Sequence, residues 1–170
     1  MLGTDGNFYG TTGYGGNTAN GATNGSGTIF KITPAGALTV LYSLDNLDGS
    51  GPFAQLVQAT NGSFYGTTTY GGDLSCSSPN GCGTIFNLSA GLGPFVVTNP
   101  RSGKVGTQVT ILGNNLEGTT SVTFNGTNAG FKASSSHITA TVPSGATTGI
   151  VEVVTPKRKL KSNVIFRVMP

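Results

Sequence analysis

Thr60-Asn61-Gly62-Ser63-Phe64-Tyr65-Gly66-Thr67-Thr68 restates, 56 residues later, the stretch Thr4-Asp5-Gly6-Asn7-Phe8-Tyr9-Gly10-Thr11-Thr12. At the same offset Tyr70-Gly71-Gly72 matches Tyr14-Gly15-Gly16, and Gly83-Thr84-Ile85-Phe86 matches Gly27-Thr28-Ile29-Phe30. No insertion separates the copies, so the first half of the chain is a tandem repeat. Asn61-Gly62 and Asp5-Gly6 suit the positive φ angles of a type I′ hairpin turn, entered in the second copy by a strand from Phe53 to Ala59 and left by one from Ser63 to Thr68. Gly83 to Leu88 supplies the next strand, matched by Gly27 to Ile32. In the first copy Thr33-Pro34-Ala35-Gly36 then turns into a fourth strand, Leu38 to Ser43, because Pro presets φ and Gly frees it. Four antiparallel strands per repeat is the organisation of a propeller blade. The first copy lacks the counterpart of Phe53 to Ala59, and the second stops matching after Leu88. About one and a half blades are therefore present where closure needs about four. Such a chain is expected to be a piece of a longer protein, or to have its open edges covered by something else.

The composition agrees with an all-β chain. Of 170 residues 28 are Gly and 25 Thr, both poor helix formers, and Thr is common in strands. Charged residues are only 9%, which argues against charge-driven disorder. No long apolar run predicts a membrane span, and Met1 to Asp5 shows no leader pattern. Charge divides along the chain: residues 1–92 carry a net −3 and residues 93–170 a net +6, while 19 of the glycines fall in the first part. Both shifts place a domain boundary near Gly91-Leu92-Gly93-Pro94, giving domains 1–92 and 93–170.

In the second part short strands are predicted at intervals near ten residues: around Val109, then Ser121 to Phe124, Gly130 to Ala133, His137 to Val142, Ile150 to Thr155 and Asn163 to Val168. That spacing predicts a β-sandwich. Alternation points Val109/Ile111, Val122/Phe124, Ile138/Ala140/Val142, Val151/Val153 and Val164/Phe166/Val168 inward. The fold expected is thus partial propeller-like antiparallel β repeats followed by an Ig-like β-sandwich.

Two resemblances sharpen this. The Asp-Gly-Asn-Phe-Tyr-Gly-Thr-Thr, Tyr-Gly-Gly and Gly-Thr-Ile-Phe-Lys motifs, with Asp48-Gly49-Ser50-Gly51-Pro52-Phe53-Ala54-Gln55-Leu56, resemble the GloVer tandem repeats of bacterial choice-of-anchor surface proteins over about residues 3–90. The resemblance implies an exported protein at the cell surface or outside the cell, and brings no established activity with it. Gly106-Thr107-x-Val109-Thr110-Ile111-x-Gly113, Val122-Thr123-Phe124-Asn125-Gly126 and Ile138-Thr139-Ala140-Thr141-Val142-Pro143 resemble the IPT/TIG family of immunoglobulin-like domains, over nearly all of residues 94–169. That family supplies spacers in bacterial surface proteins, accessory domains of polysaccharide enzymes, and parts of receptors and transcription factors. Fold membership does not select among these roles. The turn after Thr155-Pro156, usually small and Gly-rich in the family, here reads Lys157-Arg158-Lys159-Leu160-Lys161.

No catalytic, cofactor or metal constellation stands out. The single histidine, His137, begins a predicted strand, and the second domain offers it only Glu117 and Glu152 as carboxylates. Asp45-Asn46-Leu47-Asp48-Gly49-Ser50-Gly51 has the oxygens of half a calcium loop, but Leu47 stands at the third place and no Glu follows, so a polar turn is expected. Cys76 and Cys82 share one polar loop, and their counterparts in the first copy are Asn20 and Ser26, so the pair was gained or lost together, which predicts a local disulfide. Tyr9 and Tyr65 are expected between packed sheets, whereas Tyr14 and Tyr70, in Gly-rich loops, are read either as packing or as a glycan-binding face. Lys157, Arg158, Lys159 and Lys161 form a candidate anion-binding hairpin tip, or else a solvated tip that keeps a sheet edge from pairing. The function expected is a non-catalytic structural or interaction module of a secreted or cell-surface protein, its Ig-like domain acting as spacer. The alternative is a carbohydrate-binding accessory region of a polysaccharide-active enzyme. Expected partners are further repeats, other surface proteins or polysaccharide. The acidic first domain argues against nucleic acid.

Overall fold

The computed structural model describes residues 1–18 and 23–170. Every named element is a β-strand, and the chain divides into two compact units, Met1–Leu92 and Gly93–Pro170.

The first unit holds two small antiparallel sheets. One runs in the order β1 (Phe8–Thr12), β2 (Thr28–Ile32), β3 (Leu38–Ser43), and the other in the order β4 (Val57–Gln58), β5 (Phe64–Thr67), β6 (Ile85–Leu88). The repeat keeps its register: Phe8 pairs with Ile32 as Phe64 pairs with Leu88, and Gly10 with Phe30 as Gly66 with Phe86. Both glycines lie under an aromatic ring, where an added Cβ would sit 2.6 Å from Phe30 Cζ and 2.4 Å from Phe86 Cζ. The entering strand of the second copy is shorter than expected. Only Val57 and Gln58 pair with β5, and Phe53, expected in this strand, lies outside it and exposed. In the first copy Leu2 makes a single bridge to Phe8 in the corresponding place.

The hairpin turns are not type I′. Only Gly62 and Gly6 take positive φ, at 94° and 81°, and Gly62 N donates to Ala59 O as Gly6 N donates to Gly3 O. This is a type I turn followed by one left-handed residue, the three-residue hairpin loop, and Asn61 instead spends its side-chain oxygen on Ser63 N at 2.9 Å.

The sheets meet through opposite faces. Tyr9 is 2% exposed and Phe64 0%, and their rings stack with centroids 4.1 Å apart, joined in the core by Ile29 and Leu56. A bulge opposite Ile29 and Phe30 leaves Leu41 packed against this cluster. The Tyr9 hydroxyl donates to Asp5 Oδ2 at 3.0 Å, and burial together with that carboxylate pushes the phenol up to about 12. The expectation that Tyr65 also packs between sheets is corrected: it is exposed, and its neighbour Phe64 occupies the core.

The second unit is the expected sandwich. One sheet has the order β11 (Thr127–Asn128), β10 (Ser121–Phe124), β14 (Val151–Val154), β15 (Lys159–Lys161). The other has β12 (Phe131–Ala133), β13 (His137–Thr141), β9 (Gln108–Leu112), β7 (Val97–Asn99). Between them Val109, Ile111, Val122, Phe124, Ile138, Ala140, Val142, Val151 and Val153 are buried as alternation requires, and Phe124 meets Phe166 edge-on at 5.0 Å. Asn163 to Val168 is not one strand. β16 (Arg167–Val168) runs parallel to β8 (Ser102–Gly103), Phe166 bridges Gly149, and Val164 and Val168 are only partly buried. Val96, Leu116 and Leu160 join the core from outside the predicted faces.

Candidate functional site

The two loops that carry Tyr14 and Tyr70 start and close alike in their described residues. Thr12 Oγ1 donates to Tyr14 O at 2.8 Å and Thr68 Oγ1 to Tyr70 O at 3.0 Å, while the same hydroxyls accept from Thr28 N and Thr84 N. Each loop then closes on itself, Gly15 N donating to Asn24 O and Gly71 N to Asn80 O. The side-chain hydroxyl of Thr thus serves the turn as well as the strand, which explains why Thr recurs at these positions.

These twin loops wall a single open cleft of about 400 Å³ within the first unit. Tyr14, Asn24 and Gly25 line it from one copy, and Tyr70, Leu74, Pro79 and Asn80 from the other, with Asn46 and Ser50 from the segment that joins the copies. Both tyrosines are exposed; Tyr14 meets Phe53 edge-on at 5.9 Å, and Tyr70 is pinned by reciprocal backbone bonds with Ser50. The disulfide Cys76–Cys82 closes the loop that carries Pro79 and Asn80. At the base of that loop, hydrogen bonds from the Ser75 side chain and backbone hold the Asp73 carboxyl below its ordinary range. The counterpart Asn20 lies outside the described residues. Aromatic faces beside amide side chains and a rigid wall can stack on a sugar ring and bond its hydroxyls.

Other predicted positions are placed differently. Lys157, Arg158, Lys159 and Lys161 do not share a tip: Lys157 and Arg158 lie outside the strand, and β15 carries Lys159 and Lys161 on either side of buried Leu160. Lys159 Nζ is 2.8 Å from Glu152 Oε1, and Lys157 lines a cleft of about 230 Å³ together with Glu117. One lysine of the basic run is thus ion-paired, and a second shares a cleft with a carboxylate. His137 opens β13, exposed, with Nδ1 2.9 Å from Ser134 Oγ. In the Asp45 to Gly51 turn, Asp45 Oδ1 accepts from Leu47 N and Asp48 N, while Asp48 Oδ1 accepts from Asp45 N. Among the described residues no cluster of His, Cys, Asp or Glu could hold a metal ion, and no helix is long and apolar enough to cross a membrane.

A two-sheet antiparallel sandwich with this core makes the second unit an Ig-like domain. Residues 96–165 match the IPT/TIG domain family, so this part of the chain is an IPT/TIG domain, a type that is typically non-catalytic. No curated protein matches the chain.

Proposed function

We propose that the chain is a non-catalytic interaction module of a secreted or cell-surface protein, in which the IPT/TIG domain spaces and presents the repeat unit and the repeat unit binds the ligand. The observation that carries this is the convergence of Tyr14 and Tyr70, with Asn24 and Asn80, on one cleft braced by a disulfide. The resemblance of residues 3–90 to GloVer repeats supports a bacterial surface setting, and a disulfide suits an oxidising compartment. The ligand class that fits is a neutral polysaccharide, since two tyrosines and several amides line the cleft and, among the described residues, no charged side chain does. A second reading, a carbohydrate-binding accessory region of a polysaccharide-active enzyme, draws on the same cleft and differs in what lies beside it in the parent protein.

The test is a panel of soluble β-glucan, xylan and mannan, probed with the wild-type chain and with Tyr14→Ala/Tyr70→Ala. The expected result is binding to one class, weakened at least about tenfold by the double substitution. Binding to none of them, or undiminished binding by the variant, overturns the glycan reading.

A further inference from the structure

The two sheets of the repeat unit share one sequence pattern and one register, yet each buries the face that its sister leaves open. In the first sheet the buried face carries Tyr9 and Ile29; their counterparts Tyr65 and Ile85 are exposed on the second sheet, Ile85 at 81%. Met1 packs against the first unit's core, and its counterpart Val57 is exposed. In the second sheet the buried face carries Phe64 and Gly66, the glycine lying under the Phe86 ring, with Phe86 and Leu88 packed against the core. Its copy on the first sheet is formed by exposed Phe8 and half-buried Phe30 and Ile32 and widened by exposed Leu38 and Val40, Leu38 at 61%. The contact that joins the sheets, Tyr9 on Phe64, therefore already specifies how the two open faces fit each other.

From this we infer that the open faces bind one another between molecules: a second copy of this chain docks head-to-tail, laying its Phe8 face on the Tyr65 face of the first. Tyr65 then stacks on Phe8 of the second copy as Tyr9 stacks on Phe64 within one copy, and Ile85 takes the place of Ile29. Neither face presents a charged side chain at these positions, and a cluster of exposed apolar side chains is a recognised mark of an interaction site. Because the faces differ, the contact is heterologous and repeats along a series of copies instead of stopping at a symmetric dimer. Within a chain the linker holds the sheets at high effective concentration; between chains that advantage is absent, so association depends on concentration. The inference deepens the reading of the chain as an interaction module by naming a partner, and it is independent of the sugar cleft.

Sedimentation velocity of the full chain at concentrations up to about 1 mM tests it. The wild type is expected to shift progressively to larger species. Ile85→Asp, which spoils one face, and Leu38→Asp, which spoils the other, are each expected to remain monomeric alone and to form a dimer, and nothing larger, when mixed. Both side chains are exposed, so folding is preserved; Ile85→Ser, carrying no charge, is expected to weaken association in the same direction. A wild type that stays monomeric throughout overturns the inference, as does self-association of Ile85→Asp alone. Running the polysaccharide panel on Ile85→Asp separates the two readings: sugar binding there alongside a monomeric wild type removes the docking and keeps the cleft, while self-association without sugar binding does the reverse.

Discussion

Phe64 and Tyr65 are adjacent in one strand, and their side chains have opposite fates because successive residues point to opposite faces. Phe64 fills the space between the sheets, so Phe64→Ala is expected to destabilise the repeat unit by about 3–5 kcal/mol, while Tyr65→Ala, which empties no core, is expected to cost less than about 1 kcal/mol. Urea unfolding of both full-length variants, followed through the amide signals of residues 1–92, measures the difference; equal costs would show that the faces are assigned wrongly. Period-two alternation puts Phe64 and Tyr65 on opposite faces, as it does Phe8 and Tyr9. It could not tell which face of each copy packs inward. That depends on which side the neighbouring sheet occupies, and identical sequences therefore end in opposite environments.

At the scale of elements, the strands most readable in advance were those with strict alternation and a deep core. Val109/Ile111, Ile138/Ala140 and Val151/Val153 are all buried where expected. β15 was hidden by its composition. Lys159-Leu160-Lys161 is a minimal alternation, one apolar residue between two charges, and inside a basic run it reads as a turn. As the last strand of its sheet, β15 presents two lysines at an edge, a common device against pairing with another sheet. The loop from Asp73 to Cys82 was legible through its cysteines alone. Within it the backbone bonds, such as Asn80 N to Ser77 O and Gly81 N to Ser77 O, are local, and beyond these its neck is tied by Gly71 N to Asn80 O, so the disulfide is expected to set the order of the span it closes. Cys76→Ser/Cys82→Ser should lower the stability of the unit by no more than about 2 kcal/mol, the loop-closure contribution of so short a ring. It should also speed amide exchange at Asn80 and Gly81 well beyond that of β5 and β6. Unchanged exchange in that loop would show that the bridge is not what orders it.

For the whole molecule, the division of charge and glycine along the sequence coincides with two physically different units. The repeat unit is nearly all loop and short strand, with a core of a few aromatic and aliphatic side chains. The IPT/TIG unit has a larger aliphatic core and carries most of the basic residues on its surface. What the sequence could not reveal is that Tyr14 and Tyr70, 56 positions apart, face one cleft: the sequence contains the repeat but not the angle between its copies. The proposed division of labour, binding by the repeats and presentation by the sandwich, is tested most directly by nuclear magnetic resonance. Isotope-labelled full-length protein would be titrated with gluco-, xylo- and manno-oligosaccharides and the shifted amides mapped. The expected shifts lie at Gly15, Gly25, Ser50, Tyr70 and Asn80, with residues 93–170 unmoved; shifts concentrated at Lys157 to Lys161, or none with any sugar, would contradict it.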